Sequence, residues 1–403
     1  MLYSDFQGVK LSRLGFGMMR LPVKEDKSVD LEEVVRMTDY AMAHGVNYFD
    51  TAYPYHGGTS ELAAAKALVA RYPRDSFYLA DKYPGHQIVD MPAHIDPSEI
   101  FEEQLDKCGV TYFDFYLLHN INENSLDVYM DPKREILDYF LEQKKLGRIK
   151  HLGFSSHARP ENLKKFLDWC GDEMEFCQIQ LNYLDWSLQR AKESYELLTE
   201  RGIPVWVMEP VRGGKLASFA PGEEARLKAL RPEESAAAWA FRWLQGLDNV
   251  KVVLSGMTSF EQMVDNVKTF EDCRPLNEAE SQLVYDIAGG LAELLPCTAC
   301  RYCCDGCPMG LDIPVLLNLY NDLKVADSLN ISMHVEAMTP EELPAACIGC
   351  GACAEACPQK IDIPAAMSAF AKQLETLPSW ASICRERAAA AEAVKRAKAQ
   401  ANG

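Results

Sequence analysis

Two cysteine runs towards the end of the chain have the same spacing, C-x2-C-x2-C-x3-C-P. The first run covers positions 297–308 and the second covers positions 347–358. In sites of this kind three close thiolates hold one [4Fe–4S] cubane, and the fourth thiolate, beside proline, ligates a second cubane. The spacing therefore predicts two [4Fe–4S] clusters. Their expected ligands are Cys297, Cys300, Cys303 and Cys357 for one cluster, and Cys347, Cys350, Cys353 and Cys307 for the other.

Zinc ions and disulfides are the alternatives that short C-x2-C steps allow. The doubled run favours clusters over both, because each run supplies the ligand that the other lacks. Cys304 is a ninth cysteine in this region and is expected to be a bystander.

Four ionisable residues form a second group whose types and spacing suit a chemical reaction. Asp50, Lys82 and His119 each end a predicted strand, and Tyr55 follows Asp50 by five positions. This set suits carbonyl reduction, because the carbonyl oxygen needs a proton as a hydride reaches the carbon. Tyr55 would donate the proton, and Lys82, anchored by Asp50, would stabilise the phenolate that remains. His119 would hydrogen-bond the carbonyl oxygen and orient the substrate.

The elements that carry these residues alternate regularly between apolar strands and amphipathic helices. This pattern is typical of a parallel sheet that is covered on both faces. Eight such units in about 270 residues favour a (β/α)8 TIM barrel over a doubly wound sheet, and place the active site at the carboxyl ends of the strands. The predicted strands are Leu11–Gly17, Val46–Asp50, Phe77–Lys82, Phe113–His119, Ile149–Ser155, Phe176–Leu181, Ile203–Met208 and Val250–Ser255.

The pattern changes near Asn277. Helical stretches surround both cysteine runs, and each run is followed by a matching Asp-Ile-Pro, at Asp312 and at Asp362. We therefore expect three parts: an α/β barrel over residues 1–276, a mainly α-helical ferredoxin-like domain over residues 277–375, and a helical tail over residues 376–403.

The segments Phe49–Tyr55, Leu79–Lys82 and Asp114–His119 resemble the aldo-keto reductase superfamily in the order and spacing of the Asp, Tyr, Lys and His tetrad. The resemblance covers roughly residues 1–275. The whole chain is similar to the iron–sulfur branch of the superfamily, in which the barrel is fused to a ferredoxin-like domain. It implies reduction of aldehydes or ketones by a barrel that binds NAD(P)H without a Rossmann fold.

The same resemblance implies contacts to the nicotinamide cofactor, with departures from the family pattern. Ser156 replaces the usual Asn, and Met208 replaces the aromatic residue that stacks on the nicotinamide. Glu209 stands near the expected pyrophosphate, where Arg212 would neutralise it. Because Gly256 and Gln262 replace the cations that often grip the 2′-phosphate, NADPH is expected to bind no better than NADH. The implied cofactor residues are Ser155, Ser156, Gln178, Met208, Arg212, Ser255, Gly256, Ser259, Gln262 and Asn266.

The overall composition limits the partners and the location. The 403 residues carry a net charge of −18, which disfavours nucleic acid and anionic membranes as partners. No apolar run approaches the roughly 20 residues of a membrane helix, and the amino terminus lacks the features of a signal peptide. These features predict a cytoplasmic location.

The sequence predicts an oxidoreductase that acts on a small carbonyl compound and exchanges electrons with a ferredoxin or another redox protein. Two alternatives remain open at this point. The barrel could receive electrons from the clusters without NAD(P)H, or it could be a non-catalytic docking body in an electron-transfer protein.

Overall fold

The structure is a computed structural model, and it describes residues 1–87, 96–122, 125–291, 294–325, 331, 335–336 and 338–378. The chain divides into two compact units, Met1–Ala292 and Glu293–Gly403. The predicted helix in the tail, residues 386–401, lies outside the described residues.

The first unit contains a short hairpin followed by a closed barrel of parallel strands. The hairpin strands are β1 Tyr3–Phe6 and β2 Val9–Ser12, and the barrel strands are β3 Leu14–Gly17, β4 Tyr48–Asp50, β5 Tyr78–Tyr83, β6 Phe113–Ile121, β7 Ile149–Ser156, β8 Cys177–Gln180, β9 Val205–Met208 and β10 Val250–Gly256. The barrel strands pair in the order β10-β3-β4-β5-β6-β7-β8-β9, which confirms the predicted (β/α)8 fold. The predicted first strand is thus split, because its first part pairs with β1 and only its second part joins the barrel.

Helices connect the strands and cover the barrel. They are α1 Leu31–Ala43, α2 Ser60–Ala64, α3 Pro97–Cys108, α4 Leu126–Met130, α5 Ile136–Lys145, α6 Pro160–Cys170, α7 Asp185–Leu188, α8 Ala191–Glu200, α9 Pro221–Leu230, α10 Ala236–Gln245, α11 Phe260–Thr269 and α12 Glu278–Leu291. Among the described residues, no helix is long and apolar enough to cross a bilayer.

Aromatic side chains fill the barrel at its amino-terminal end. Phe6, from the hairpin, lies with its ring centroid 5.0 Å from that of Trp206 and 5.9 Å from that of Phe115. Edge-to-face and tilted arrangements of this kind are favourable for aromatic rings. The hairpin therefore closes this end. The active site is expected at the opposite end, where the strands finish. We call that end the mouth of the barrel.

The second unit is built from helices and turns, and no strand is found among its described residues. Asp362 caps a helix by accepting a hydrogen bond from the backbone N–H of Ala365. The helices of this unit are Tyr302–Asp305, Ile313–Val325, Ala352–Glu355 and Ile363–Leu374. The division between the units falls after α12, whereas the sequence pattern changes near residue 277, because α12 packs its apolar face on the barrel core.

Candidate active site and iron–sulfur sites

The carboxyl ends of β4 and β5 bring a lysine and a carboxylate together in the mouth. Lys82 is fully buried, and its Nζ forms a very short ion pair with Asp50 Oδ1. The same Nζ donates to the backbone oxygen of Thr51 at 2.7 Å and lies 3.3 Å from Tyr55 Oη. A buried ammonium needs such partners, because an uncompensated charge in the interior is strongly destabilising.

Tyr55 stands beside this ion pair in a short 3-10 turn, Tyr55–Gly58, that follows β4. Its ring meets that of His119 edge to face, with centroids 5.8 Å apart. Burial, followed by the negative charge of Asp50, raises the pKa of Tyr55 well above the ordinary value of 10.0. The hydroxyl therefore holds its proton at neutral pH and can give it only to a stronger base, such as a developing alkoxide.

His119 is carried by β6 and is almost completely buried. Burial lowers the pKa of its imidazole well below 6.5, and the charges of His86 and Lys82 act in the same direction. The imidazole is consequently neutral at pH 7. The backbone oxygen of His119 accepts a hydrogen bond from Tyr129 Oη at 2.6 Å, which fixes this part of the strand.

His86 was not identified from the sequence, although it follows Lys82 by four positions, in the turn Gly85–Gln87 after β5. Its ring packs edge to face on that of His119, with centroids 4.7 Å apart. Burial lowers the pKa of His86 to about 3. Two neutral imidazoles therefore lie side by side at the mouth.

Several neighbouring strands finish at the same mouth with residues that are expected to contact the nicotinamide. Gln178 reaches the tetrad directly, because its Nε2 donates to Asp50 Oδ2 at 3.3 Å. Ser155 Oγ accepts from the backbone N–H of Asn120 at 2.8 Å, and Ser156 Oγ donates to the backbone oxygen of Ile121 at 3.3 Å. These contacts place three predicted cofactor residues beside the predicted tetrad.

The predicted phosphate loop is also locally ordered. Asn266 Nδ2 donates to Ser255 Oγ at 2.9 Å, so these two buried residues fix the end of β10 to α11. Ser259 caps α11 by accepting from the backbone N–H of Gln262, whose Oε1 accepts from the backbone N–H of Thr258 at 2.8 Å. Met208 and Gly256 end β9 and β10 and are partly buried.

The expectation that Arg212 neutralises Glu209 is wrong. The Arg212 side chain is buried, and its Nε lies 3.1 Å from Asp185 Oδ1. Glu209 is instead paired with Arg20, whose Nη1 is 2.7 Å from Glu209 Oε1. No sequence pattern indicates this pair, because its two residues follow the first and seventh strands of the barrel and meet only when the barrel closes.

The cysteines of the second unit form two sets that combine the two runs. Cys357 lines a cavity together with Cys297, Cys300 and Cys303. Cys307 lines a second cavity together with Cys347, Cys350 and Cys353. Each cavity thus combines three cysteines of one run with the fourth cysteine of the other.

The chemistry of the two cavities fits iron–sulfur clusters. Among the described residues that line them, the cysteines are accompanied mainly by apolar side chains, and no carboxylate or imidazole is present. Soft thiolate ligands of this kind favour iron–sulfur clusters or zinc. Within the described part of the chain, no three His, Cys, Asp or Glu side chains are close enough together to hold a single metal ion.

The model of the aldo/keto reductase family matches residues 13–287. The chain belongs to the aldo/keto reductase family. The matched segment includes most of α12, in agreement with the extent of the first compact unit. A second model, that of the 4Fe-4S dicluster domain, matches residues 296–361 and therefore covers both cysteine runs. The protein is an aldo-keto reductase-type oxidoreductase that also carries a two-cluster iron–sulfur domain.

Individual members of the family are similar to this chain at low sequence identity. NADH-specific methylglyoxal reductase of Escherichia coli is 24% identical in an alignment 325 residues long that covers 70% of this chain and 96% of that protein. Probable aldo-keto reductase 1 of Glycine max is 25% identical in an alignment 215 residues long that covers 52% of this chain and 58% of the relative. The solved structure of an aldo-keto reductase from Bacillus halodurans in its holo form has 27% identity and a TM-score of 0.54, and the match covers 71% of this chain and 96% of that one.

Proposed function

We propose that the barrel reduces an aldehyde or ketone at a tetrad formed by Asp50, Tyr55, Lys82 and His119. The observation that carries this proposal is the position of Lys82 Nζ, between the Asp50 carboxylate and Tyr55 Oη, which is 3.3 Å away. Buried ion pairs seldom add to stability. A buried ion pair beside a tyrosine hydroxyl therefore favours a catalytic barrel over a non-catalytic docking body.

In this proposal each side chain has a separate task. NAD(P)H would supply the hydride when bound. The protonated Tyr55 hydroxyl gives its proton to the oxygen of the carbonyl as negative charge develops there, so that the product is an alcohol. Lys82 stabilises the phenolate that remains, and Asp50 holds Lys82 in position. The neutral imidazole of His119 donates a hydrogen bond to the carbonyl oxygen and orients it.

The nicotinamide nucleotide would lie among Ser155, Ser156 and Gln178, with its phosphates towards β10 and α11. We propose that NADH binds at least as well as NADPH, because neither Gly256 nor Gln262 offers a cation to the 2′-phosphate. A relative named as NADH-specific supports this preference. The Arg212 side chain is buried against Asp185, which leaves it poorly placed to reach a phosphate.

The two clusters would carry electrons one at a time, whereas a hydride carries two. We propose that Cys297, Cys300, Cys303 and Cys357 hold one cluster and that Cys307, Cys347, Cys350 and Cys353 hold the other, as the two cavities suggest. A ferredoxin or another redox protein would exchange electrons with them. The cytoplasmic location stays a prediction.

The tetrad is tested by replacing Tyr55 with phenylalanine, which removes only the hydroxyl. We expect aldehyde reduction to fall by about 10²–10⁴-fold, the usual contribution of a positioned proton donor. Tyr53→Phe is the matched control, because the Tyr53 hydroxyl bonds Glu103 at 2.9 Å, outside the tetrad. Equal activity of the two variants, with equal cluster absorbance, would exclude Tyr55 as the acid.

A further inference from the structure

The ion pair between Arg20 and Glu209 bridges two loops at the mouth. Arg20 ends the turn Met18–Arg20 after β3, and Glu209 directly follows β9. The Arg20 side chain keeps 24% of its surface exposed, whereas that of Glu209 keeps 7%. The cation is therefore the partner that remains accessible to a ligand.

Glu209 is held in its position by further contacts. Its Oε2 accepts from the backbone N–H of Gly213 at 2.6 Å, and its backbone oxygen accepts from Asn182 Nδ2 at 2.9 Å. Its φ of 55° lies in the left-handed region, which is unfavourable for a residue with a side chain. The surrounding contacts thus hold the Glu209 carboxylate, on a strained backbone, against Arg20.

Both members of the pair lie close to the proposed proton donor. The positive charge of Arg20 lowers the pKa of Tyr55 and the negative charge of Glu209 raises it, although burial remains the largest influence. Arg20 also crosses the end of β10, because a Cβ added to Gly256 would lie 3.2 Å from Arg20 Cβ. Arg20 therefore influences the reacting hydroxyl and also contacts the loop expected to bind phosphate.

Two other cations near the mouth are less available. Lys82 is fully buried and ion-paired with Asp50, and Arg212 is buried against Asp185. An arginine guanidinium is well suited to carboxylates and phosphates, which it can bind with two parallel hydrogen bonds. A ligand anion that reached Arg20 would compete with the Glu209 carboxylate for the same guanidinium.

We propose that Arg20 is an anion-binding residue of the active site and that Glu209 weakens this binding by competition. The shared ligand chemistry is a carboxylate or phosphate oxygen, which could belong to an acidic group on the carbonyl substrate or to the pyrophosphate of the nucleotide. The identity of these two ligands rests on the proposed function, whereas the binding of an anion to Arg20 does not.

Two variants that conserve side-chain size make the test specific. Arg20→Gln removes the cation, so we expect the affinity for the anion to fall by about tenfold or more, as for the loss of one charge-assisted hydrogen bond. Glu209→Gln removes the competitor but keeps an oxygen for the Gly213 N–H, so we expect the affinity to rise. Opposite effects of the two variants are the signature of competition.

Arg74→Gln is the matched control. Arg74 forms an ion pair with Asp114 at 2.6 Å, with 23% and 11% of the two side chains exposed, but it lies where β5 begins, at the opposite end of the barrel. This variant should leave anion affinity unchanged while losing a similar ion pair.

Binding is measured by calorimetry on cluster-loaded protein, with NADH as one probe and with 4-carboxybenzaldehyde and neutral 4-methylbenzaldehyde as the other two. If the affinity for NADH falls in Arg20→Gln and rises in Glu209→Gln, the anion belongs to the nucleotide. If only the affinity for the carboxylated aldehyde changes in this way, the anion belongs to the substrate. Weaker binding in both variants, or no change in either, would overturn the proposal. Because binding is read without turnover, an inactive tetrad would contradict the proposed function while leaving this result intact.

Discussion

At the scale of single residues, the charge balance around Tyr55 decides what the mouth can do. The carboxyl pKa of Asp50 is raised by burial, while the opposing charge of Lys82 lowers it. Asp50 in turn raises the pKa of Tyr55. Asp50 therefore both positions Lys82 and adds to the effect of burial on the pKa of the proposed proton donor.

Replacing Asp50 with asparagine should shift the pH profile of aldehyde reduction. The variant loses a negative charge that raises the pKa of Tyr55, and it leaves the Lys82 charge without its partner. Both changes favour the phenolate, so the pKa of Tyr55 falls. Reduction requires the protonated hydroxyl, and the alkaline limb of the kcat profile should therefore move to lower pH. An alkaline limb that moved to higher pH would contradict this electrostatic account.

The sequence predicted the tetrad because each of its members ends or follows a strand, so a simple rule places them together. It could not predict the partners of Glu209 and Arg212. Arg20 reaches Glu209 only because β3 and β9 both border β10 in the closed barrel. Pairing between loops that are far apart in sequence depends on side-chain packing, which strand patterns do not encode.

At the scale of elements, β5 extends beyond β4 and leaves Lys82 without a strand partner on that side. The register of β4 with β5 ends at Asp50 and Ala80, two residues before Lys82. Side chains replace the missing strand: Asp81 Oδ1 accepts from the Lys82 N–H at 2.8 Å, and Gln104 Nε2 donates to the Lys82 backbone oxygen at 3.0 Å. The backbone of the proposed catalytic lysine is thereby fixed.

Asp81 offers a test of this support with two substitutions. Burial, and then the charge of Glu61, raise the carboxyl pKa of Asp81 well above its usual value, so asparagine resembles its protonated form. We expect Asp81→Asn to retain aldehyde reduction. Asp81→Ala should lower kcat and destabilise the barrel by about 1–3 kcal/mol, because it leaves a buried N–H unpaired. If asparagine proved as damaging as alanine in kcat and in thermal unfolding, this support would not be the role of Asp81.

The predicted strands agree closely with the structure because continuous apolar runs between amphipathic helices have few other solutions. Helix α9, Pro221–Leu230, was not predicted, since only Leu227 among its residues is buried. A helix that lies mostly on the surface has no apolar stripe by which to recognise it.

In the molecule as a whole, the aldo/keto reductase barrel and the two cysteine sets belong to different compact units. The cysteine sets share a wall, because the fully buried Ile363 lines both cavities. The doubled spacing predicts the crossed use of the two runs, and this assignment stays a prediction. The compact units divide after α12, whose sequence carries no feature that separates it from the helices after it.

Cys357→Ser should remove the cluster whose other ligands are Cys297, Cys300 and Cys303. We expect iron to fall from about eight atoms per chain to about four in anaerobically prepared protein, because each cubane holds four. Cys304→Ser is the control and should keep the full iron content. Loss of the signal from the other cluster alone, measured by electron paramagnetic resonance, would contradict the crossed assignment.

We propose that the barrel passes a hydride from a nicotinamide to a carbonyl carbon. NADH that carries deuterium at the transferable position tests this step when it is given to the cluster-loaded protein with a panel of aldehydes under anaerobic conditions. We expect alcohol with deuterium on the carbinol carbon, formed by the wild type and by Tyr53→Phe but nearly absent with Tyr55→Phe. Unlabelled alcohol, formed only when reduced ferredoxin is supplied, would show instead that the clusters feed the barrel without a nicotinamide.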